Sequence, residues 1–407
     1  MTLASLSLAA SRKRARTSVV AALLPIMAVV LIAFLVIGLA LPVLPLHVHQ
    51  RLGLGAFMIG LIAGSQFAAS LSSRLWAGRY CDERGPKRAV VVGLFTAGGS
   101  GLLYLLSLAF VATPVAAATV LLAGRALLGA AESLIITGAV SWGLSLARAQ
   151  NAGKVIAWVG MAMFAALALG GPVGVALYAI AGFGGVALAT TLAPFATLLL
   201  VARLPTVSPL QPGVRPKFIS VARAVWIPGL GAALSSLGFG AILAFSSLLF
   251  AERGWNPVWL AFSAYAASLI VARAIFGHLP DRLGGARVAL VFILIEAGGL
   301  TLVWLAADPT VAAAGASLTG LGYSLVYPGF GVEAVRRAPP ESRGLVMGIY
   351  TAFLDVALGF GSPALGLIAA STGVGSVFLA SALTVLSAAA IALRLLKAPG
   401  VPIRRTS

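Results

Sequence analysis

The sequence predicts an all-α integral membrane protein, with twelve transmembrane helices arranged as two pseudo-symmetric six-helix bundles. Hydrophobic residues make up 60% of the 407 positions and charged residues only 9%, far below the roughly 25% charged content of a typical soluble domain. A polar signature, Gly78, Asp82, Gly85 and Arg88, recurs 199 positions later as Gly277, Asp281, Gly284 and Arg287, and Arg74 recurs as Arg273. Lys and Arg fall in short clusters between apolar runs. The net charge of +18 is therefore assigned to membrane topology and not to a nucleic-acid partner, which needs a basic face or tail on a soluble domain. Cys81 is the only cysteine, so neither an intramolecular disulfide nor a cysteine-based metal cluster can form.

A hydrocarbon core of about 30 Å takes about 20 helical residues, and the polar or Pro/Gly-marked breaks cut the chain into pieces of that order. Residues 1–18 form a basic amino-terminal segment carrying Arg12, Lys13, Arg14 and Arg16. The apolar run behind it exceeds the roughly 7 to 15 residues of a signal-peptide core, which predicts an uncleaved first helix. The first bundle, 19–202, holds segments at 19–46, 55–77, 89–110, 115–144, 155–180 and 186–201. Residues 203–228 read as a linker, with Arg203, Arg215, Lys217 and Arg223 among Pro205, Pro209, Pro212 and Pro216. The second bundle, 229–396, holds segments at 229–250, 258–276, 288–306, 311–332, 344–370 and 377–395, and 397–407 is a tail. With the amino terminus inside, 23 of the 28 basic residues lie on the cytoplasmic side, Arg51 and Arg253 lie outside, and Arg74, Arg125 and Arg273 lie within segments. Cytoplasmic loops retain Lys and Arg, so both termini are expected in the cytoplasm.

The duplicated signature has a physical reading of its own. Gly78, Gly85, Gly277 and Gly284 let helices and loop approach closely, while Asp82 and Asp281 can meet Arg84, Arg88, Arg282 or Arg287 and the amino-terminal end of a neighbouring helix. Such a charged latch can hold one conformation; a tight turn with basic anchors accounts for the arginines but not for the repeated aspartate. Glu333, a turn from Arg336 and Arg337, is expected in the same latch.

Charges inside the membrane mark function, because each costs about 2.5 to 3.5 kcal/mol at a helix centre. Arg125 and Glu132 are seven residues apart and share a face of the fourth helix. Asp355 lies about twelve residues into the eleventh segment, near Tyr350, Phe353 and Gly359. A carboxyl there is desolvated and can load and release a proton as access alternates; it can equally take a cationic substrate group, or pair with Arg273 or Arg74. Glu296, in the ninth segment, is expected to form a structural pair. Gln66, Trp142, Trp158, Tyr323, Tyr327 and Tyr350 are candidates for lining a cavity, where polar and aromatic edges orient a ligand. His47 and His49 lack further metal ligands and read as interfacial residues.

Twelve helices with Gly-x-x-x-Asp-x-x-Gly-x-x-Arg after the second and the eighth resemble the major facilitator superfamily of secondary transporters. The second copy, Gly277 through Gly284, keeps the Asp281-Arg282 pair, whereas the first places Glu83 after Asp82 and shifts the base to Arg84. Arg125 with Gly129 resembles a fourth-helix motif linked to proton coupling. Gly171, Pro172 and Gly174 resemble the Gly-Pro motif of exporters, with the glycine after the proline one residue early and not doubled, and read as a bend and close-packing site. Residues Asn151 to Trp158 and Gly277 to Arg287 are similar to bacterial inner-membrane permeases described as arabinose-efflux-like, and to drug-efflux permeases. Gly171 and Pro172 line up with Ser362 and Pro363, and Gly153 with Gly344, at an offset of 191.

The resemblance implies a cavity at the interface of the halves and rocking of one half against the other. It implies a non-enzymatic, proton-coupled exporter of a sugar or drug-like molecule in the bacterial inner membrane. Such a carrier works as a monomer in the lipid bilayer, with a small-molecule substrate and protons as partners and with no cofactor, metal or nucleic acid. An uptake symporter, or a non-transporting sensor of the same fold, remains the alternative.

Overall fold

The computed structural model describes residues 3–146, 152–207, 218–337 and 343–397. Side chains are described from residue 23 onward, except at 152–154, 156–157, 218 and 343–344. Among the described residues the α-helices are α1 (Leu3–Gln50), α2 (Ala56–Arg84), α3 (Pro86–Ser107), α4 (Pro114–Leu146), α5 (Ala152–Ala202) and α6 (Phe218–Glu252), followed by α7 (Leu260–Phe276), α8 (Leu279–Leu283), α9 (Gly285–Leu305), α10 (Pro309–Arg336), α11 (Arg343–Thr372) and α12 (Val374–Lys397). Asn151, linker residues 208–217 and tail residues 398–407 lie outside the described residues.

Nine helices of the described residues are long and apolar enough to cross a membrane by length and composition. The twelve expected crossings are recovered by inspecting the others. At 51 residues α5 is too long for one crossing, and it turns back at Gly182 (φ 60, ψ −164), a backbone only glycine adopts readily. Its first part packs on α1, where Gly170 meets Gly38 and Gly174 meets Leu39; its second packs on α3, where Phe195 lies against Gly98. The 17-residue α7 is short but apolar, and α10 is 28 residues long but diluted by glycine, serine and tyrosine.

Several expected boundaries move. Helix α1 starts at Leu3, so the basic amino-terminal segment continues the first helix. Helix α6 starts at Phe218, so the end of the expected linker is helical. The first copy of the signature is not a loop: α2 runs through Gly78 and Asp82 to Arg84. The second copy breaks after Phe276 and re-forms as α8, whose first turn holds Pro280, where the first copy has Cys81. Proline removes a backbone donor and clashes with the preceding turn, which accounts for the difference. Both copies end alike, Gly85 at φ 91 and Gly284 at φ 95, each closing one helix and opening the next.

The two halves are built by one plan. A Cβ on Gly129 would strike the carbonyl oxygen of Gln66, and one on Gly320 that of Tyr265. Gln66 and Tyr265 are 199 apart, and Gly129 and Gly320 are 191 apart, the two offsets already visible in the sequence. Small residues permit such approaches where lipid supplies no hydrophobic drive between helices. Across the halves α2 packs on α11, α5 on α7 and α1 on α6. Gly64 lies against Gly359, whose carbonyl oxygen would be 2.6 Å from an added Cβ, and Gly366 against Ala56, while Gly171 abuts Phe262. These contacts close the end opposite the basic loops. Apolar side chains such as Ile180 (85% exposed), Leu199 (71%) and Phe360 (71%) point outward, as lipid-facing residues do.

Gly85→Ala and Gly284→Ala are each expected to lower the thermal unfolding midpoint in detergent, because a side chain at this φ costs about 1–3 kcal/mol. Gly78→Ala, with nothing within 4 Å of the added Cβ, should leave the midpoint unchanged or raise it. Equal losses at all three positions would show that the positive φ is not the cause.

Candidate functional site

The α2 helix presents Gln66, Ser70 and Arg74 at i, i+4 and i+8, a polar stripe on one face. Gln66 donates from Nε2 to Oε2 of Glu132 on α4 at 2.7 Å. Ser133 donates to the Ser70 carbonyl at 2.9 Å, and the two hydroxyls lie 3.1 Å apart. Arg74 donates to the Ser70 hydroxyl at 3.3 Å and to Oδ2 of Asp355 on α11 through Nε (2.9 Å) and Nη2 (2.5 Å). Asp355 is 2% exposed. Of the partners offered by the sequence, Arg74 takes it and Arg273 does not, and the resulting ion pair crosses between the halves.

The second half repeats the device with different chemistry. Arg273 on α7 donates to the Ser324 carbonyl at 3.1 Å, and its guanidinium lies 4.7 Å from the centre of the Phe164 ring on α5. Ser324 stands 191 positions after Ser133, and Asp355 191 after Phe164. An arginine thus reaches across the interface twice, once to a carboxylate and once to an aromatic face, where it is held by cation–π attraction. Around Arg273 the rings of Tyr265, Phe239, Tyr323, Tyr327 and Tyr350 form a chain, with centroids 5.8, 5.5, 6.2 and 4.8 Å apart in that order. The Tyr323 hydroxyl lies 3.1 Å from the Ser236 hydroxyl, Tyr327 donates to Thr351 at 3.2 Å, and Tyr350 donates to the Tyr327 carbonyl at 2.5 Å. Tyr265 and Phe239 were missed by sequence reading; the 199 offset pairs Tyr265 with Gln66 and was the signal for it.

Other expected residues fall elsewhere. Arg125 is wholly buried, and among the described residues its three guanidinium nitrogens have no hydrogen-bond partner; it does not pair with Glu132. The structural pair expected for Glu296 does not form among the described residues: both carboxylate oxygens are buried without a hydrogen-bond partner there, between Gly238 of α6 and Gly322 of α10. Trp142 is buried in the core of the first half with its indole N–H unpartnered, while Trp158 is half-buried on α5. The non-helical backbone of α5 sits at Gly182, while Pro172 lies inside the helix and Gly171 and Gly174 pack closely on Phe262 and Leu39. His47 stacks on Phe183 at 4.1 Å, and His49 is exposed, donating weakly to the Leu54 carbonyl at 3.4 Å.

The latch residues are exposed in this conformation. Asp82, Arg84, Arg88, Asp281, Arg282 and Arg287 lie at the surface, and neither aspartate has a hydrogen bond or ion pair among the described residues. Glu333 fills the role foreseen for an aspartate. Its Oε1 accepts from the Ala286 N–H at 3.2 Å, at the amino-terminal end of α9, and its carboxylate also meets Arg337 and, at 3.8 Å, Arg336. A carboxylate at a helix amino terminus meets both free N–H groups and the positive end of the dipole.

Fold and site together define a multi-pass membrane carrier whose polar core lies between two like halves. The sequence profile of the Major Facilitator Superfamily matches residues 26–284 and 230–407, and the chain belongs to that family of transporters. It is 42% identical over 376 residues, 91% of this chain and 96% of the relative, to an MFS-type transporter of Salmonella typhimurium. It is also 42% identical over 367 residues, 89% of this chain and 88% of the relative, to an MFS-type transporter of Burkholderia pseudomallei. Among solved structures it shares the fold of a bacterial homolog of the human lysosomal transporter Spinster, with TM-score 0.74 and 15% identity over 94% of this chain and 99% of that one. A human organic anion transporter is similar with TM-score 0.66 and 16% identity over 91% and 98%.

Breaking a buried ion pair by removing one partner strands the other charge, at a cost of about 3–5 kcal/mol, whereas replacing both with apolar groups is often neutral. Arg74→Met alone should therefore lower the unfolding midpoint more than Arg74→Met with Asp355→Leu. A double variant less stable than the single one would show that the pair is not what joins α2 to α11.

Proposed function

We infer that this transporter is a proton-coupled exporter of a small organic molecule, seated in the bacterial cytoplasmic membrane with both termini inside. The observation that carries the reading is the Arg74–Asp355 pair, a buried titratable contact between the halves. A proton arriving at Asp355 Oδ2 converts the carboxylate to a neutral acid. Arg74 then loses its counter-charge, and α2 and α11 are free to part. When Asp355 gives the proton up on the other side, the pair re-forms. Glu132, held by Gln66 one turn from the Ser70–Ser133 contact, is a second proton acceptor on the same polar stripe.

Conformational control comes from the basic end. Asp82 and Asp281 are free while the opposite end is closed, the arrangement of a released latch; their engagement with Arg84, Arg88, Arg282 or Arg287 belongs to the alternate state. The distribution of Lys and Arg supports a cytoplasmic basic end, and the exporter-like Gly171, Pro172 and Gly174 support outward transport. The ring chain from Tyr265 to Tyr350 offers aromatic faces to an organic substrate. The two halves form the domains, the second beginning with α6 at Phe218, and one chain contains a whole pathway.

The test is proton movement in liposomes loaded with a pH-sensitive dye and offered sugars and amphipathic drugs from outside. Export by antiport makes the lumen more alkaline as substrate enters, and symport makes it more acid. Asp355→Asn is expected to abolish the substrate-dependent signal. An undiminished signal in that variant would remove Asp355 from coupling and leave Glu132 as the acceptor.

A further inference from the structure

Three arginines lie inside the spans, and two are accounted for. Arg74 is neutralised by Asp355, and Arg273 lies over Phe164 with its donors on the Ser324 carbonyl. Arg125 has no such contact: it is 0% exposed, Nε, Nη1 and Nη2 all lack a hydrogen-bond partner among the described residues, and the carboxylate of Glu132 acts on it only through space. A guanidinium carries its charge permanently and offers five donors in a planar fork suited to a carboxylate. An uncompensated charge in a low-dielectric interior is costly enough that such groups are found paired or facing a pathway.

The surroundings say what the missing partner is. Arg125 lines a narrow crevice between the halves whose other walls are apolar: Leu41, Leu44 and Val48 of α1, Ile62 of α2 and Leu243 of α6. Glu132, the acid on the same face of α4, is engaged by Gln66. One fixed cation set in an apolar cleft, with a wall from each half, matches a molecule having a single anionic head on an apolar body. The crevice is narrow because the halves are closed at this end, and α6 is the wall that moves when they rock apart.

We propose that Arg125 is the anion-recognition residue of the transport pathway, and that the substrate is an organic carboxylate with an apolar body, its carboxylate oxygens accepting from the guanidinium of Arg125. The proposal rests on the transporter reading above and deepens it. It also accounts for Glu132, on the same face of α4, being engaged by Gln66 and not by Arg125.

The test is ligand binding by the purified full chain, read as a shift of the thermal unfolding midpoint. The probes are benzoate, 4-phenylbutyrate and decanoate, each beside its matched alcohol and ammonium. At least one carboxylate is expected to stabilise the wild type while its alcohol and ammonium do not. Arg125→Gln should weaken that carboxylate by about 30-fold or more, the loss seen when one partner of a buried charge pair is removed, and Arg125→Lys should retain part of the affinity. Should Arg125→Gln fail to fold, Ala244→Phe, which fills the crevice from α6, is expected to abolish carboxylate binding instead. No stabilisation by any carboxylate, equal stabilisation by the alcohol or ammonium, or unchanged affinity in the Gln or Phe variants would each overturn the assignment. Proton movement driven by a sugar without carboxylate binding would overturn it and leave the coupling reading standing; carboxylate binding without proton movement would do the reverse.

Discussion

The contact between Arg74 and Asp355 is the constraint on which the arrangement depends. It joins the two halves through one carboxylate that is buried and one guanidinium that is partly open, so that the carboxylate depends on the arginine for its counter-charge. The glycine-lined seam between α2 and α11 brings the helices close enough for the pair to form, and the Ser70 and Ser133 hydroxyls hold the arginine in place. A contact of this kind holds the two halves together only while both charges are present.

Duplication supplied the frame, and divergence then gave each half a task. On one side the stripe is Gln66, Ser70 and Arg74, facing Glu132 and Ser133. Its counterpart is Tyr265, Leu269 and Arg273, facing Tyr323 and Ser324. Acids and amides in the first half became rings in the second, while the arginine and serine stayed. Across the interface Asp355 answers one arginine and Phe164 the other. The ionisable pair therefore collects at one crossing and the aromatic surface at the other.

The basic end behaves differently. Its aspartates have no hydrogen bond or ion pair among the described residues, yet Glu333 is engaged at the start of α9. One carboxylate thus pins α10 to the amino-terminal end of α9. The first copy, helical through Gly78, and the second, broken at Pro280, present their aspartates from unlike backbones. The latch is consequently asymmetric even where its letters agree.

Much of this was legible from sequence because it depends on local or periodic properties. Apolar length marks a span, basic loops mark a side, and a repeated signature marks a duplication, so the family, the helical class and the buried charges were all in view. The offsets of 199 and 191 also held the inter-half pairings, since they place Phe164 opposite Asp355 and Tyr265 opposite Gln66. Pairing itself was not legible. Which arginine met Asp355, that Glu132 met Gln66 and that Glu296 has no hydrogen-bond partner among the described residues depend on how helices distant in the chain are rotated and spaced against each other, whereas the turn of α5 at Gly182 falls in the gap already read between 155–180 and 186–201. Composition and period set what each helix can bury; only the packed bundle decides which two side chains arrive within hydrogen-bond reach, because that distance is fixed by contacts between residues hundreds of positions apart.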